Sequence, residues 1–206
     1  MVCYFAGMQS YPSKSIENAV EQISKLPGIG KKSALRLALH LLKNDENYTN
    51  HLVEALAKLK ADTQFCLTCH NLSDDPICSY CNSSSRDKQI ICVVEDFRDV
   101  MAIENTHQYN GLYHVLGGLV SPMNGVGPSD LHIDTLLARL DGSVTEIILA
   151  LSPNMEGDTT AFYLNRKLTA FNLKVSTIAR GIPIGGELEY ADEITLGRSI
   201  VNRVAQ

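Results

Sequence analysis

Residues 65–84 read FCLTCHNLSDDPICSYCNSS, so that Cys66, Cys69, Cys78 and Cys81 form two Cys-x2-Cys pairs separated by eight residues. Each pair can form a tight knuckle presenting two thiolates, and two knuckles make a tetrahedral four-thiolate site suited to zinc. The segment is too small for an apolar core of its own, so the metal has to hold it together. Four protein ligands close the coordination shell and leave no position for water, which predicts one structural Zn2+ per chain. A disulfide framework is the competing reading, and a cytosolic chain argues against it. His70 beside Cys69 reads as a bystander. Cys3 and Cys92 look unrelated to the cluster; Cys92 lies inside an apolar run and should behave as a small buried residue.

At 206 residues and 45% hydrophobic content, the chain can bury one full core and carry one or two small appendages. No run approaches the roughly 18 apolar residues of a membrane span. The opening MVCYFAGMQSYPSKS lacks a basic region followed by a long apolar one, so the expectation is a cytoplasmic protein without membrane contact. Met8 opens a stretch that reads well as a start, which makes residues 1–7 a candidate upstream extension. The formal charge of −5 argues against coating nucleic acid with the whole surface. The charge is uneven, however: residues 1–60 carry eight Lys/Arg against five Asp/Glu, and residues 61–206 carry ten against eighteen. Contact with an anionic polymer belongs in the first segment or in a local patch.

Ile16, Val20, Ile23 and Leu26 recur at helical spacing over 13–26, with Ser13 or Ser15 as a cap. A second helix runs through Ala34, Leu35, Ala38, Leu39 and Leu42, and a third through Leu52, Ala55, Leu56 and Leu59. Past residue 90 the pattern changes to the apolar runs 90–94, 113–117, 146–151 and 174–178, alternating with candidate helices near 98–105, 129–140 and 157–170. Such alternation implies α/β architecture, a mainly parallel sheet covered by helices. A short helix from about 193 closes the chain.

The stretch LPGIGKKSALRLALHLL, Leu26 to Leu42, could hold a nucleotide, a nucleic-acid backbone or nothing. A nucleotide loop needs glycine, four residues, then Gly-Lys-Ser/Thr after a buried strand; here position 25 is lysine and the preceding segment is helical. Two helices joined by Pro-Gly-Ile-Gly instead make a helix-hairpin-helix pattern, with Ile29 as its buried apolar pin. Gly28 and Gly30 permit the turn and close approach of a backbone, and exposed N–H groups opening the second helix can bind a phosphate. Lys31, Lys32 and Arg36 would neutralise neighbouring phosphates without reading sequence. The bland alternative is a helical corner with a solvated lysine pair. Arg86 and Lys88, beside the cysteines, are the fallback DNA site.

Open parallel sheets gather ligands at the carboxyl ends of their strands. Glu95 follows the first run, and Ser152, Asn154, Glu156 and Asp158 follow the third. Acids from neighbouring strands would make a divalent metal site; alternatively, Glu156 and Asp158 merely charge the first turn of a helix. The residue pattern leaves both open.

These segments together resemble the RecR family of bacterial recombination mediators in DNA repair. SKLPGIGKKSALRLALHLL resembles its helix-hairpin-helix, CLTCHNLSDDPICSYC its zinc finger, ICVVEDFRDVMAIENT through ALSPNMEGDTTAFYL its Toprim domain, and ARGIPIGGELEYADEITLGRS its C-terminal segment. The likeness runs from Met8 to the end. It divides the chain into a helix-hairpin-helix unit (1–60), a four-cysteine zinc finger (61–87), a Toprim domain (88–179) and a C-terminal segment (180–206).

Catalytic Toprim domains pair a glutamate after the first strand with Asp-x-Asp after a later one. Glu95 matches the glutamate, but the aspartate positions fall on Ser152 and Asn154. Glu156 and Asp158 match acids that follow in many Toprim domains, which leaves room only for weak Mg2+ or partner binding. The resemblance therefore implies a non-catalytic DNA clamp. It further implies a ring-like homotetramer acting with RecO and RecF to help load RecA on DNA coated by single-strand binding protein, at the bacterial nucleoid. A Toprim nuclease is disfavoured by Ser152 and Asn154, and a zinc-bearing scaffold without DNA contact by Lys31, Lys32 and Arg36.

Overall fold

The computed structural model describes residues 11–182 and 184–203; Cys3 and the Met8 start lie outside the described residues. Two compact units meet in the sequence between Asp62 and Thr63.

The first unit holds helices α1 (Lys14–Ile23), α2 (Lys31–Lys43) and α3 (Glu46–Asp62). Ser13 starts α1 from an extended backbone, its Oγ accepting from the Ser15 N–H at 3.2 Å. Beyond α1, Pro27 cannot continue a helix and Gly28 turns the chain at φ +78°, a conformation costly for any residue with a Cβ. Val20, Ala34 and Ala38 form the buried centre, with Ile16, Ile23, Ile29 and Leu35 packed around it. Ile29 is thus a half-buried pin rather than a fully buried one. The third helix forms where its apolar spacing predicts, yet none of its residues is buried: Leu52, Leu56 and Leu59 are 42%, 58% and 64% exposed.

The second unit opens with the antiparallel pair β1 (Gln64–Phe65) and β2 (Leu72–Ser73), followed by the single turn α4 (Ser79–Asn82). It continues through β3 (Asp87–Val94), α5 (Phe97–Glu104), β4 (Gly111–Val115) and α6 (Ile133–Leu137). The remaining elements are β5 (Glu146–Ala150), α7 (Met155–Leu168), β6 (Lys174–Thr177) and α8 (Glu193–Val201). The four long strands form an all-parallel sheet in the order β4-β3-β5-β6, confirming the expected α/β class. Alternate strand residues feed two layers, because successive side chains point to opposite faces. Ile91, Val93, Ile147 and Leu149 pack with Leu136 of α6 and Leu164 and Leu168 of α7. Cys92, Val94, Tyr113 and Val115 pack on the other face with Val100 of α5, so Cys92 is the buried apolar residue expected. Each fully buried leucine contributes about 2 kcal/mol.

The chain leaves β3 for β4 on one side and returns to β5 on the other. The strand order therefore switches between β3 and β5, and their carboxyl ends flank the crevice where such sheets bind ligands. Two helix expectations need correction. The helix expected over 129–140 is a 3-10 turn at Pro128–Asp130 and then only Ile133–Leu137, because Leu131 is extended (ψ 155°) and buried. The helix expected over 157–170 starts at Met155, because Asn154 caps it.

Candidate nucleic-acid interface and metal centre

Every helix of eight or more residues in the second unit opens on an Asp or Asn whose side chain accepts a backbone N–H. Helix α2 does not: Gly30 is its cap and supplies no side-chain acceptor. Among the described residues its first N–H groups therefore have no side-chain cap, the condition under which a helix start can take up a phosphate. A Cβ built on Gly30 would meet nothing within 4 Å, so the chain's own packing does not require glycine there. Lys31, Lys32 and Arg36 are all exposed, and among the described residues none of them forms an ion pair. The five residues singled out in the sequence, Gly28, Gly30, Lys31, Lys32 and Arg36, thus share the turn and the first turns of one helix. Of the fallback pair, Lys88 is likewise exposed and forms no ion pair among the described residues, and only Arg86 fares differently. Arg86 is bound to Glu104 at 2.6 Å and to the Gly111 carbonyl at 2.9 Å, over the ring of Tyr80, and is not available to DNA.

The sulfurs of Cys66, Cys69, Cys78 and Cys81 lie within 4.8 Å of one another, three of the residues buried and Cys81 half-buried. A tetrahedron with bonds of about 2.3 Å has sulfur–sulfur edges of about 3.8 Å, so the set fits zinc. Among the described residues no disulfide joins them. Cys69 and Cys78 share a hydrogen bond at 3.5 Å that raises the Cys69 pKa and lowers that of Cys78. The Cys78 N–H donates to Cys66 Sγ at 3.3 Å and the Cys81 N–H to Cys78 Sγ at 3.5 Å, the latter adding to the lowering at Cys78. Bound there, zinc supplies a closed structural tie and no reactive position.

His70, read as a bystander, is no ligand of this set, but it has a structural role. It adopts φ +60°, and its ring stacks on His132 at 3.8 Å between centroids and meets His114 edge-on at 5.4 Å. Its Nε2 is 2.9 Å from Thr135 Oγ1, and the Val115 N–H donates to the Cys69 carbonyl at 2.8 Å. One zinc knuckle is thereby seated on the end of β4. Sequence reasoning misses this joint; His114 and His132 lie far from the cysteines in sequence and form no ligand spacing with them.

The strand-end acids are not pooled. Glu95, half-buried after β3, accepts from the Ser152 hydroxyl at 3.1 Å. Asn154 Oδ1 accepts from the Gly157 N–H at 2.7 Å and so caps α7. Glu156 accepts from the Ser121 hydroxyl, and Asp158 pairs with Arg180, whose hydrogen bond holds its carboxyl below the usual range. Both acids lie in the first turn of α7, with Arg166 and Lys167 in its last, as the helix dipole favours. Among the described residues, the four cysteines are the one group of three or more metal-capable side chains with converging ligand atoms. Gly157 escapes sequence reasoning too: a Cβ there would stand 1.9 Å from the Ser152 carbonyl oxygen, so only glycine lets α7 start against the end of β5.

Among the described residues, no helix is long and apolar enough to cross a membrane. Four family models match the chain in sequence order: the RecR helix-hairpin-helix over 16–60, the RecR four-cysteine zinc finger domain over 63–83, the Toprim domain over 89–179 and the RecR C-terminal segment over 181–204. The chain is 57% identical over 196 residues to a protein named Recombination protein RecR from Parabacteroides distasonis, covering 95% of this chain and 94% of that one. Proteins of the same name from Flavobacterium johnsoniae (58% over 195 residues, 94% of this chain and 95% of that one) and Cytophaga hutchinsonii (56% over 196, 94% and 96%) are similarly close. With the helix-hairpin-helix, the convergent cysteines and the parallel Toprim sheet in this order, the chain belongs to the RecR family.

Proposed function

We propose that this protein is a non-catalytic DNA-binding clamp and recombination mediator. In this reading, residues 1–60 hold DNA, 61–87 form the zinc finger, 88–179 the Toprim domain and 180–206 the C-terminal segment. DNA backbone phosphates meet Gly28, Gly30, Lys31, Lys32 and Arg36. The observation that carries the reading is the opening of α2: a helix start with no side-chain cap, followed by three exposed cations without ion pairs among the described residues. The relatives' name, Recombination protein RecR, supports the role in recombination and repair.

The protein forms a ring-like homotetramer in the bacterial cytoplasm, at the nucleoid. The exposed apolar face of α3 gives a second copy something to bury, and a ring need be basic only where DNA passes, which accommodates the net charge of −5. It acts with RecO and RecF to help load RecA on DNA coated by single-strand binding protein. Glu95, Glu156 and Asp158 bind Mg2+ weakly at most and serve partner contacts instead of chemistry. The test measures RecA filament formation on a strand coated by single-strand binding protein, with purified RecO and RecF, adding parent protein or its Lys31→Ala/Lys32→Ala/Arg36→Ala variant. Acceleration by the parent and not by the variant is expected. No acceleration by a parent that light scattering shows to be assembled would overturn the mediator role.

A further inference from the structure

A groove of about 410 Å3 runs along α2, lined by Lys32, Leu35, Arg36, Leu39, His40 and Lys43. Three cations and an imidazole border it, no acid does, and Lys32, Arg36 and Lys43 form no ion pair among the described residues. Lys32, Arg36 and His40 repeat every four residues and Lys43 follows three later, a single helical face about 16 Å long. The groove is not purely polar: Leu39 is 38% exposed and Leu35 half-buried between the cations. The exposed His40 ring is set edge-on against Tyr48 of α3, 6.0 Å between centroids and 84° between planes.

We infer that this groove holds one unpaired nucleic-acid strand, its phosphates on Lys32, Arg36 and Lys43 and a base lying over Leu35 and Leu39 against the His40 ring. The inference rests on the DNA reading of α2 and adds the form of DNA it takes and two further contacts, His40 and Lys43. A duplex keeps its bases stacked inside and offers such a face phosphates alone, leaving the leucines and the ring in water. A single strand covers both at once, because every base has an apolar face to stack and a phosphate to neutralise. A second copy of the chain on the same face would set these cations against their own counterparts, a like-charge contact that costs binding.

The test uses the full-length protein with a single-stranded oligonucleotide carrying 2-aminopurine and a duplex of equal length, each titrated at two salt concentrations. His40→Ala is expected to weaken single-strand binding about tenfold, to lose the fluorescence quenching of the stacked base, and to leave duplex binding nearly unchanged. His40→Phe, which keeps the ring, restores affinity and quenching. Lys43→Ala lowers the single-strand salt slope by about 0.7. These substitutions sit on exposed positions, and unchanged melting checks the fold. If Lys32→Ala/Arg36→Ala loses DNA while the His40 and Lys43 variants bind like the parent, the groove assignment fails and the DNA reading of α2 stands. If Lys32→Ala/Arg36→Ala itself binds like the parent, the DNA reading falls. Equal losses on duplex and single strand, or a drop in assembled mass with His40→Ala, overturn the single-strand groove.

Discussion

The Ser152 hydroxyl donates to Glu95 Oε2 across 3.1 Å, joining the ends of β5 and β3 where a catalytic Toprim site would place carboxylates against one another. Asn154, at the second aspartate position, uses its side-chain oxygen to cap α7. In-line phosphoryl transfer needs carboxylates that fix an ion against the attacking and leaving oxygens. One carboxylate facing a hydroxyl and an engaged amide does not supply that charge. Supercoiled plasmid incubated for hours with the protein and Mg2+ or Mn2+ is expected to stay intact. Nicking by the parent that vanishes in Glu95→Ala would establish the nuclease instead.

Replacing Lys31, Lys32 and Arg36 by Ala should weaken DNA binding sharply and lower the duplex salt slope by about 0.9 for each phosphate no longer neutralised. Sequence preference should not change, since phosphate binding carries none. The glycines separate fold from DNA contact. Gly28→Ala forces a Cβ into φ +78° and should cost about 1 kcal/mol of stability, whereas Gly30→Ala meets no neighbour and should melt like the parent while binding DNA less well. Anisotropy titrations and urea melts of the two variants decide this; equal DNA affinity for parent and Gly30→Ala would remove the helix start from the interface.

The parts legible in the sequence are those whose partners are close along the chain. The cysteine spacing picks out the four side chains whose sulfurs converge, the β3 and β5 runs place Glu95 and Ser152, and the LPGIG turn places α2. What stayed hidden depends on distant partners. Nothing near Arg86 shows that Glu104 and Tyr80 will enclose it, and no periodicity marks His114 and His132 as the seat for His70. The leucines of α3 announce a helix but not what covers them, because amphipathic spacing is the same for a core face and for an interface. Gly157 looks like an ordinary first-turn residue until the Ser152 carbonyl is seen beneath it.

Gly157→Ala tests that close approach. The added methyl would stand 1.9 Å from a backbone oxygen, so the start of α7 has to shift and the Asn154 cap with it. Overpacking of this kind costs roughly 1–3 kcal/mol. A urea midpoint equal to that of the parent would show that α7 can slide away from β5 freely.

Burial pushes the pKa of His114 down to about 3, and its partners fix the tautomer: Nε2 lies 2.7 Å from the His132 carbonyl and donates, while Nδ1 accepts from Arg139. A base with a depressed folded pKa stays neutral in the native state while the unfolded chain gains a proton below about 6.5. Its contribution is therefore complete above pH 6.5 and is lost progressively as pH falls towards 3. Melting temperature should drop across that window, and His114→Gln should flatten the slope even if it starts lower. A zinc-sensitive dye present throughout separates this loss from metal release. Parallel slopes for parent and variant would remove His114 as the cause.

Zinc removal should be felt beyond the cysteines, through the joint on β4. Structural zinc supplies roughly 10 kcal/mol or more to a segment without its own core, so chelation or Cys66→Ser should unfold 66–81. The Cys69 carbonyl accepts from the Val115 N–H at the end of β4, and His70 lies on His132 at 3.8 Å, so the knuckle's unfolding strips a backbone partner and a ring partner from the Toprim domain together. Amide exchange should therefore quicken at Val115 and around His132 as well as in the finger, and assembled mass should fall. His70→Ala separates the two effects: the four sulfurs remain, zinc stays bound, and exchange rises near His132 without unfolding of 66–81. Metal-free protein with unchanged melting, mass and exchange would refute the structural role of the site. Quickened exchange confined to 66–81 would show that the finger folds on its own metal and leaves the sheet untouched.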